Sequence, residues 1–446
     1  MKRSLVEREL RVGAAREFGP AAVISRRAAD RLRAGHLWVY KSDVEELAPG
    51  LVGDPMSPSR DMGHPTLAAG ALVSVVDARG FALGTAIYSD ASQIALRMVS
   101  DVAGLSRAAY LDQARERVLA AIKLRRELAP EAFPLAAGAG ASEKDNACRL
   151  IFSEADGLPG IVADRYNGLV VLQLLTQGTA RDDLRGVLRE VLAGSLELET
   201  IVERPDARVR ELEQIPPSPA GPLFARDAAR PKLATEFRIN GLGFHFDAEA
   251  GQKTGAFLDQ RLNYAAAARY SRGRALDVCT YQGGFALHLA RVCERVTGVD
   301  ASRSALEVAD RNLALNSGLK AEVDWIEADA FELLREFEGA GERFGTIVLD
   351  PPAFAKTRRA AEGAMRGYKE MNLRAIKMLQ PGGTLVTCSC SHHVPLAEFM
   401  AAMASAASDA RRRVQILETR GAAPDHPSVV TLPETDYLKC VICRVG

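Results

Sequence analysis

The sequence predicts an α/β fold, built on a doubly wound, mostly parallel sheet in its last ~190 residues. Three observations predict it. Short apolar segments recur as ALDVCT, RVTGVD, EVDWIEAD, GTIVLD and TLVTCSC between Ala275 and Cys390. Stretches of helical period (FALHLARVC, SALEVADRNLALN, AFELLREF and MNLRAIKML) follow most of them. The connections are short, as strand-helix-strand crossovers require. In such sheets ligands bind beyond the C-terminal ends of the strands.

A small β domain is expected over residues 20–103, where LVSVVDARGFALGTAIYSD and QIALRMVS are β-rich runs broken by turn residues. Residues 49–65 are rich in Pro, Gly and Ser and read as a loop. A central α+β domain over 104–231 follows. Tyr110 to Glu127 has helical period, Leu135 to Ser142 reads as a flexible insertion, and CRLIFSEADGLPGIVADRYNGLVVLQLL reads strand, turn, strand. Asp182 to Leu192 is a helix, Thr200 to Glu203 a strand, and the prolines at 216, 217, 219 and 222 mark a break. The last domain, 232–446, opens with a hairpin that alternates around Asn240-Gly241.

The composition fits a folded protein. Of 446 residues 47% are hydrophobic, enough for two to four cores, and 57 basic residues balance 57 acidic ones, which excludes disorder and a polycationic tail. The balance is uneven along the chain: ten Lys or Arg stand against four acids from Met1 to Lys41, ending in the aromatic-bearing GHLWVY. Such a segment suits phosphate contact with base stacking, or else a solvated helix face with a core tryptophan. No apolar run approaches the ~18 residues of a membrane span, and the N-terminus alternates charge where a leader would be apolar. Seven scattered cysteines suit a reducing, cytoplasmic setting, and without zinc-finger spacing no metal is expected.

The strand ends carry the chemistry. The first continues as Asp277-Val278-Cys279-Thr280-Tyr281-Gln282-Gly283-Gly284-Phe285, where paired glycines allow close backbone approach to a ligand. The second ends in Asp300, placed for ribose hydroxyls, and the third in Asp329, placed for an adenine edge. The turn lacks the third glycine of GxGxxG, which favours S-adenosylmethionine over a nicotinamide dinucleotide.

DVCTYQGGF, GVDAS, EADAF and DPPAF resemble the signatures of class I S-adenosylmethionine-dependent methyltransferases, a Rossmann-like fold. Gly251 to Arg261, GQKTGAFLDQR, narrows the resemblance to the RlmI-like large-subunit rRNA methyltransferases, as do SEADGLPGIVADRY, the stretch Arg366 to Lys369 and SCS. GHLWVY and SQIALRM are similar to the ends of that group's N-terminal PUA domain. The first twenty residues, the loop at 49–65 and the region around 129–146 depart from it. The resemblance implies cofactor contacts at Gln252, Lys253, Thr254, Phe257, Arg261, Asp277, Tyr281, Gly283, Phe285, Asp300, Ala301, Ser302, Asn316, Asp329, Ala330 and Asp350. It implies 23S rRNA as partner and is compatible with a homodimer.

The fourth strand ends in Asp350-Pro351-Pro352-Ala353-Phe354. Two prolines hold the chain extended, and in methyltransferases with similar motifs this segment grips a flipped base. Pro351, Pro352, Phe354, Lys356 and Tyr368 are the expected substrate contacts, beside a rim of Lys and Arg from Lys356 to Lys377. Methylating C5 of cytosine needs a thiolate that adds to C6. Cys388 and Cys390 share a strand face. The string Thr387-Cys388-Ser389 points to Cys388, whereas the count from Pro381-Gly382-Gly383 and the resemblance point to Cys390 as nucleophile. Asp350 is the nearest candidate base for the C5 proton, or holds the base edge. Pro351-Pro352 stands where other RNA cytosine-5 enzymes carry Pro-Cys, which leaves product release open. The rivals are methylation of a purine nitrogen, which needs no cysteine, and a non-catalytic assembly factor. Cys440 to Cys443 reads as a closing strand whose cysteines face opposite ways, not as a redox pair.

Overall fold

The computed structural model describes residues 19–48, 67–133, 145–204, 206–249, 255–355 and 361–446. The loop at 49–65 and the insertion at 135–142 lie outside the described residues. The chain divides into two compact units: residues 1–127, 149–233 and 428–432 form one, and residues 128–148, 234–427 and 433–446 the other. The first two of the three expected domains therefore share a unit.

In the first unit, β1 (Ala21–Ile24), β2 (Trp38–Tyr40), β3 (Val44–Ala48), β4 (Leu72–Asp77), β5 (Ala82–Tyr88) and β6 (Ile94–Ser100) form a sheet of order β2-β6-β5-β4-β1-β3. β1 runs parallel to β4; its helix α1 (Arg26–Arg33) starts at Ser25, whose side chain accepts from the Ala28 amide. Val39, Val73, Val75 and Leu96 are fully buried in the core. After α2 (Arg107–Leu128) come β7 (Ala147–Phe152), β8 (Ile161–Tyr166), β9 (Leu169–Leu174), β10 (Thr200–Glu203) and β11 (Phe224–Ala225), in the order β11-β10-β9-β8-β7. β9 and β10 are parallel and joined through α3 (Asp182–Ser195); α4 (Ala207–Leu212) follows.

Buried polar contacts join these two sheets and account for the shared unit. Glu154 accepts from Trp38 Nε1 at 2.8 Å and from Arg97 Nη1 at 2.8 Å, while Glu213 accepts from Ser89 Oγ at 2.8 Å. Arg97 lies over the Trp38 ring at 5.4 Å. Trp38 is thus a joining residue and not a free stacking platform for a base, which favours the structural of the two readings of this segment. On α1, Arg31 pairs with Asp43, Arg33 with Asp77 and Arg26 with Asp30, while the Arg26 and Arg27 side chains are exposed.

The second unit opens with the hairpin β12 (Ala234–Ile239) and β13 (Leu242–Asp247). Asn240 and Gly241 both take positive φ, 51° and 74°, as a two-residue turn of this twist requires. Then follow α5 (Arg261–Tyr270), β14 (Arg274–Val278), α6 (Gly284–Leu289), β15 (Arg295–Asp300), α7 (Arg303–Ala314), β16 (Glu322–Glu327) and α8 (Ala330–Gly339). The chain ends with β17 (Phe344–Leu349), α9 (Ala361–Met378), β18 (Leu379–Ser389), α10 (Leu396–Asp409), β19 (Val414–Arg420) and β20 (Lys439–Val445). The sheet order is β16-β15-β14-β17-β18-β20-β19, with β20 antiparallel to both neighbours and the other pairs parallel. Strand order reverses between β14 and β17, which opens a crevice at their C-terminal ends. Cys440 and Cys443 are buried within β20, as the closing-strand reading expects.

Candidate active site

A cleft lies at this switch point, lined by Phe257, Thr280, Tyr281, Gln282, Phe285 and Asp350 among others. Its wall is the turn after β14. Cys279 and Tyr281 hold positive φ of 64° and 53°, and Gly283 follows at 85°. That strain is held by Asp277, whose Oδ2 accepts from Thr280 Oγ1 at 2.6 Å and from the Ala286 amide at 2.9 Å. A Cβ at Gly284 would stand 2.6 Å from the Tyr264 hydroxyl, so glycine lets that ring close the back of the turn. Burial pushes the Asp277 carboxyl up to about 7, and its Oδ1 has no hydrogen-bond partner.

Asp300 is half-buried at the end of β15; its oxygens accept from the Tyr281 and Ser302 amides, each at 2.9 Å. Each carboxylate oxygen keeps a lone pair for a hydroxyl. Asp329 is exposed and caps α8 through Oδ1, which takes the Phe331 and Glu332 amides. Phe257 packs against Tyr281 with ring centroids 5.0 Å apart, while Phe285 is buried against Tyr264. Ala301 and Ser302 are exposed beside Asp300, with Ser302 capping α7; Ala330 opens α8. Gln252, Lys253, Thr254 and Lys356 lie outside the described residues.

Two expected cofactor residues have structural partners. All polar functions of Asn316 are engaged: Oδ1 accepts from the Gly243 amide and Nδ2 donates to the Gly243 and Asn312 carbonyls. That ties the hairpin to α7. Arg261 is buried, with Glu131 at 2.8 Å and Asp425 at 3.4 Å, an ionic staple within the unit.

The β17–β18 side differs. The Asp350 carboxyl is pushed up to about 8, first by burial and then by Asp259 and Asp277 nearby. Its Oδ2 accepts from Gln260 Nε2 at 3.1 Å, Gln260 Oε1 accepts from Asn263 at 2.7 Å, and Asn263 Oδ1 takes Arg420 Nε at 2.9 Å. The amide chain fixes which way Gln260 faces, and the Cys388 thiol also bonds the Asp350 carboxyl. Pro351 is buried, Pro352 exposed and Phe354 half-buried.

β18 ends at Ser389, so Cys390 is the first residue beyond it. Ser389 and Ser391 are buried and both meet the Tyr368 hydroxyl at 2.9 Å; Ser391 Oγ also takes the Ala355 amide. The two serines clamp the strand end to Tyr368 of α9, and Ser391 also to the loop after β17, while alternation turns Cys390 to the opposite side. Cys390 is half-exposed, with Sγ 4.0 Å from the Pro351 carbonyl oxygen. Tyr368, expected as a substrate contact, is buried under Phe354 at 4.8 Å between ring centroids and supports that ring from below.

Cys388 is fully buried opposite Cys440. Its thiol is held far above the ordinary range by burial and by Cys440. Cys279 in the cleft wall is likewise raised by burial and by Asp300 and Asp350. Among the described residues no three His, Cys, Asp or Glu group to hold a metal, and no helix is long and apolar enough to cross a membrane. Sequence reasoning passed over Gln260, although it lies in the GQKTGAFLDQR block, and Lys439, whose amine donates to the Ser391 carbonyl and whose signal is a lysine inside an apolar strand.

Comparison with known proteins decides the family. Residues 23–101 match the PUA-like domain family and residues 226–436 the S-adenosylmethionine-dependent methyltransferase family. The ribosomal RNA large subunit methyltransferase I of Shewanella amazonensis is 37% identical over 92% of this chain and 95% of its own length. That of Pseudoalteromonas translucida is 34% identical over 93% and 96%. The chain belongs to this methyltransferase family. It is an S-adenosylmethionine-dependent methyltransferase with an N-terminal PUA-like domain. A methyltransferase structure complexed with SAH shares the fold at a TM-score of 0.74 and 16% identity, covering 95% of this chain and 99% of that one. The site fits the cofactor of the family: anchored acids at Asp300 and Asp329 suit its hydroxyls and amines, and the Phe257–Tyr281 pair offers an apolar wall.

Proposed function

We propose that this methyltransferase acts on C5 of a cytosine in large-subunit (23S) rRNA, through a covalent bond to Cys390. The printed name of the relatives supports the substrate, and the separation of the two strand-end thiols carries the mechanism. Cys388 is buried against Cys440, whereas Cys390 is half-exposed past the strand, fixed by serines on either side.

The Cys390 thiolate adds to C6 and moves the C5=C6 electron pair onto C5. Asp350, protonated at neutral pH, donates to N3 of the ring and spreads that charge. Uracil presents N–H there and would be refused. Bound S-adenosylmethionine supplies an electrophilic methyl group to which C5 can bond. A base then removes the C5 proton, the double bond re-forms and the thiolate leaves. An acid that keeps its proton is a donor, so Asp350 supports the base-edge role rather than that of C5 base. Pro351 and Pro352 hold the loop extended and Phe354 offers a ring toward the base, backed by Tyr368.

RNA carrying 5-fluorocytidine tests this reading, because fluorine cannot leave as the proton does. Incubation with S-adenosylmethionine should give a denaturant-stable adduct, lost in Cys390→Ala and kept in Cys388→Ala. Methyl transfer to ordinary RNA with no adduct formed would favour methylation of a ring nitrogen.

A further inference from the structure

The end of the sheet remote from the crevice carries a charge pattern of its own. β14, β17 and β18 start there and β20 ends there, which brings Arg272, Arg343 and Arg444 to that end. Residues 411–413, just before β19, add Arg411 and Arg413. All five side chains are exposed. The carboxylates nearby serve other cations: Glu342 pairs with Arg274, Glu338 with Arg374 and Lys377, and Asp409 with Lys369. Glu294 reaches the Gly273 carbonyl through its amide. No carboxylate of the described residues forms an ion pair with Arg272 or Arg444.

These two guanidiniums converge on one point. A Cβ placed on Gly382 would stand 3.0 Å from Nη2 of Arg272 and 3.3 Å from Nη2 of Arg444. Gly382 also takes a φ of 75°, so glycine suits both the backbone and the space the guanidiniums occupy. Both stems are anchored. The Arg272 amide donates to Thr346 Oγ1 at 3.0 Å, and that hydroxyl donates to the Arg272 carbonyl at 3.1 Å. Arg444 is a ladder residue of β20, opposite Thr384 on β18 and Gln415 on β19. Arg412 differs from its neighbours, being engaged with the Ile376 carbonyl at 2.8 Å and the Gly446 oxygen at 2.9 Å.

Like charges held at one point repel, and an anion between them relieves the repulsion. Guanidinium forks match phosphate in geometry as well as in charge. A six-residue strand spans about 20 Å, so a ligand here is neither the cofactor nor the base in the crevice. A nucleic-acid backbone carries phosphates and is long enough to reach both ends. We propose that Arg272 and Arg444 form a phosphate site that grips the RNA backbone about 20 Å from the base being methylated, with Arg343, Arg411 and Arg413 as its rim. This rests on the reading of RNA as substrate. The site takes no part in the chemistry; it supplies affinity that is independent of sequence.

The test is the salt dependence of RNA binding by the full chain, measured by filter binding. The probes are a transcript of 23S rRNA and an unrelated transcript of equal length. The Arg272→Ala, Arg444→Ala double variant should bind both roughly tenfold more weakly, with the slope of log affinity against log salt shallower by about two. Its KM for rRNA should rise by a similar factor, while kcat and calorimetric binding of S-adenosylmethionine stay as in the wild type. The Arg272→Lys, Arg444→Lys variant should keep the slope and lose part of the affinity, because the charge stays and the fork goes. An unchanged slope in the alanine variant overturns the site, and this is the result an acidic protein as the true partner would give. A fall in kcat at unchanged slope overturns it as well. A shallower slope on both transcripts without methyl transfer to rRNA removes the substrate and keeps the site. Methyl transfer to rRNA at an unchanged slope removes the site and keeps the substrate.

Discussion

Asp300 and Asp329 end strands on one side of the switch point, and Asp350 ends a strand on the other, yet the two sides present their carboxyls differently. On the cofactor side each acid keeps solvent contact and is anchored by main-chain amides. Asp350 sits among Asp259, Asp277 and apolar walls, and holds its proton to about pH 8. Glu154, in the other unit, shows what a counterion changes. It is more buried than the half-buried Asp350, yet Arg97 and the Ser153 and Trp38 donors bring its carboxyl below the ordinary range against the opposing effect of burial. A carboxylate at a strand end is therefore an anion or an acid according to what faces it, which sequence position alone does not say.

The largest expected effect tests the substrate side. Cys390→Ala should lower methyl transfer by roughly 10⁴-fold or more with S-adenosylmethionine binding retained, as assayed by tritiated methyl incorporation and calorimetry. Cys388→Ala should stay within about tenfold of wild type, since the buried thiol is held neutral and gives the Asp350 carboxyl only a weak S–H bond. Comparable losses in both would erase the distinction between the two thiols.

Asp350→Ala should cost about 10²–10³-fold in kcat. Asp350→Asn should lose less, because an amide can still donate to N3. Wild-type activity should fall as pH rises through about 8, where Asp350 loses its proton, and the asparagine variant should flatten that limb. A limb that survives in Asp350→Asn would assign it to another group.

Glu154→Ala leaves the Arg97 charge short of its nearest partner and Trp38 Nε1 unpaired, and should cost about 3 kcal/mol in urea unfolding of its unit. The folded Glu154 carboxyl is depressed, so its contribution is present above the unfolded value and lost as pH falls through the folded one. No measurable cost would mean the buried pair merely offsets its own desolvation.

On the cofactor side, Asp300→Ala should weaken S-adenosylmethionine binding about tenfold or more, and Asp329→Ala less, because Asp300 also holds the Tyr281 amide in its positive-φ turn. Calorimetry with both variants ranks the two acids, and a larger loss at Asp329 would reverse that order.

The last expectation concerns stability against pH. Asp277 holds its proton to about pH 7 in the folded chain but releases it near 4 when unfolded, so stability should fall as pH rises from about 4 to about 7. Asp277→Asn should flatten this fall in thermal melts at pH 5 and 8. His288 has the opposite sign. Burial lowers it to about 4, so its contribution is present above the ordinary value near 6.5 and fades as pH falls.

Much of this was legible. The strands before Asp300, Asp329 and Asp350, the Asn240-Gly241 turn and the strand Thr200–Glu203 follow from period and turn chemistry. The protein partners of Trp38, Asn316, Arg261 and Tyr368 were not legible for one reason. Each carries a functional group that suits a ligand, and each finds a protein partner far away in sequence: Glu154, Gly243, Asp425 and the serines beside Cys390. Gln260 and Lys439 were passed over for the converse reason, since their neighbours Asp350 and Ser391 meet them only across the sheet.

What the sequence by itself determined is the order of elements, the strand-end placement of the acids and cysteines, and the glycine turn, because these depend on local period and backbone freedom. What the tertiary structure decided is charge and access. Burial beside Asp259 and Asp277 makes Asp350 an acid, the register against β20 buries Cys388 behind Cys440, and the clamp of Ser389 and Ser391 on Tyr368 leaves Cys390 turned away from them. Protonation state and exposure depend on the groups that surround a side chain in space, and those come from segments far apart in the chain, 90 residues in the case of Gln260 and Asp350.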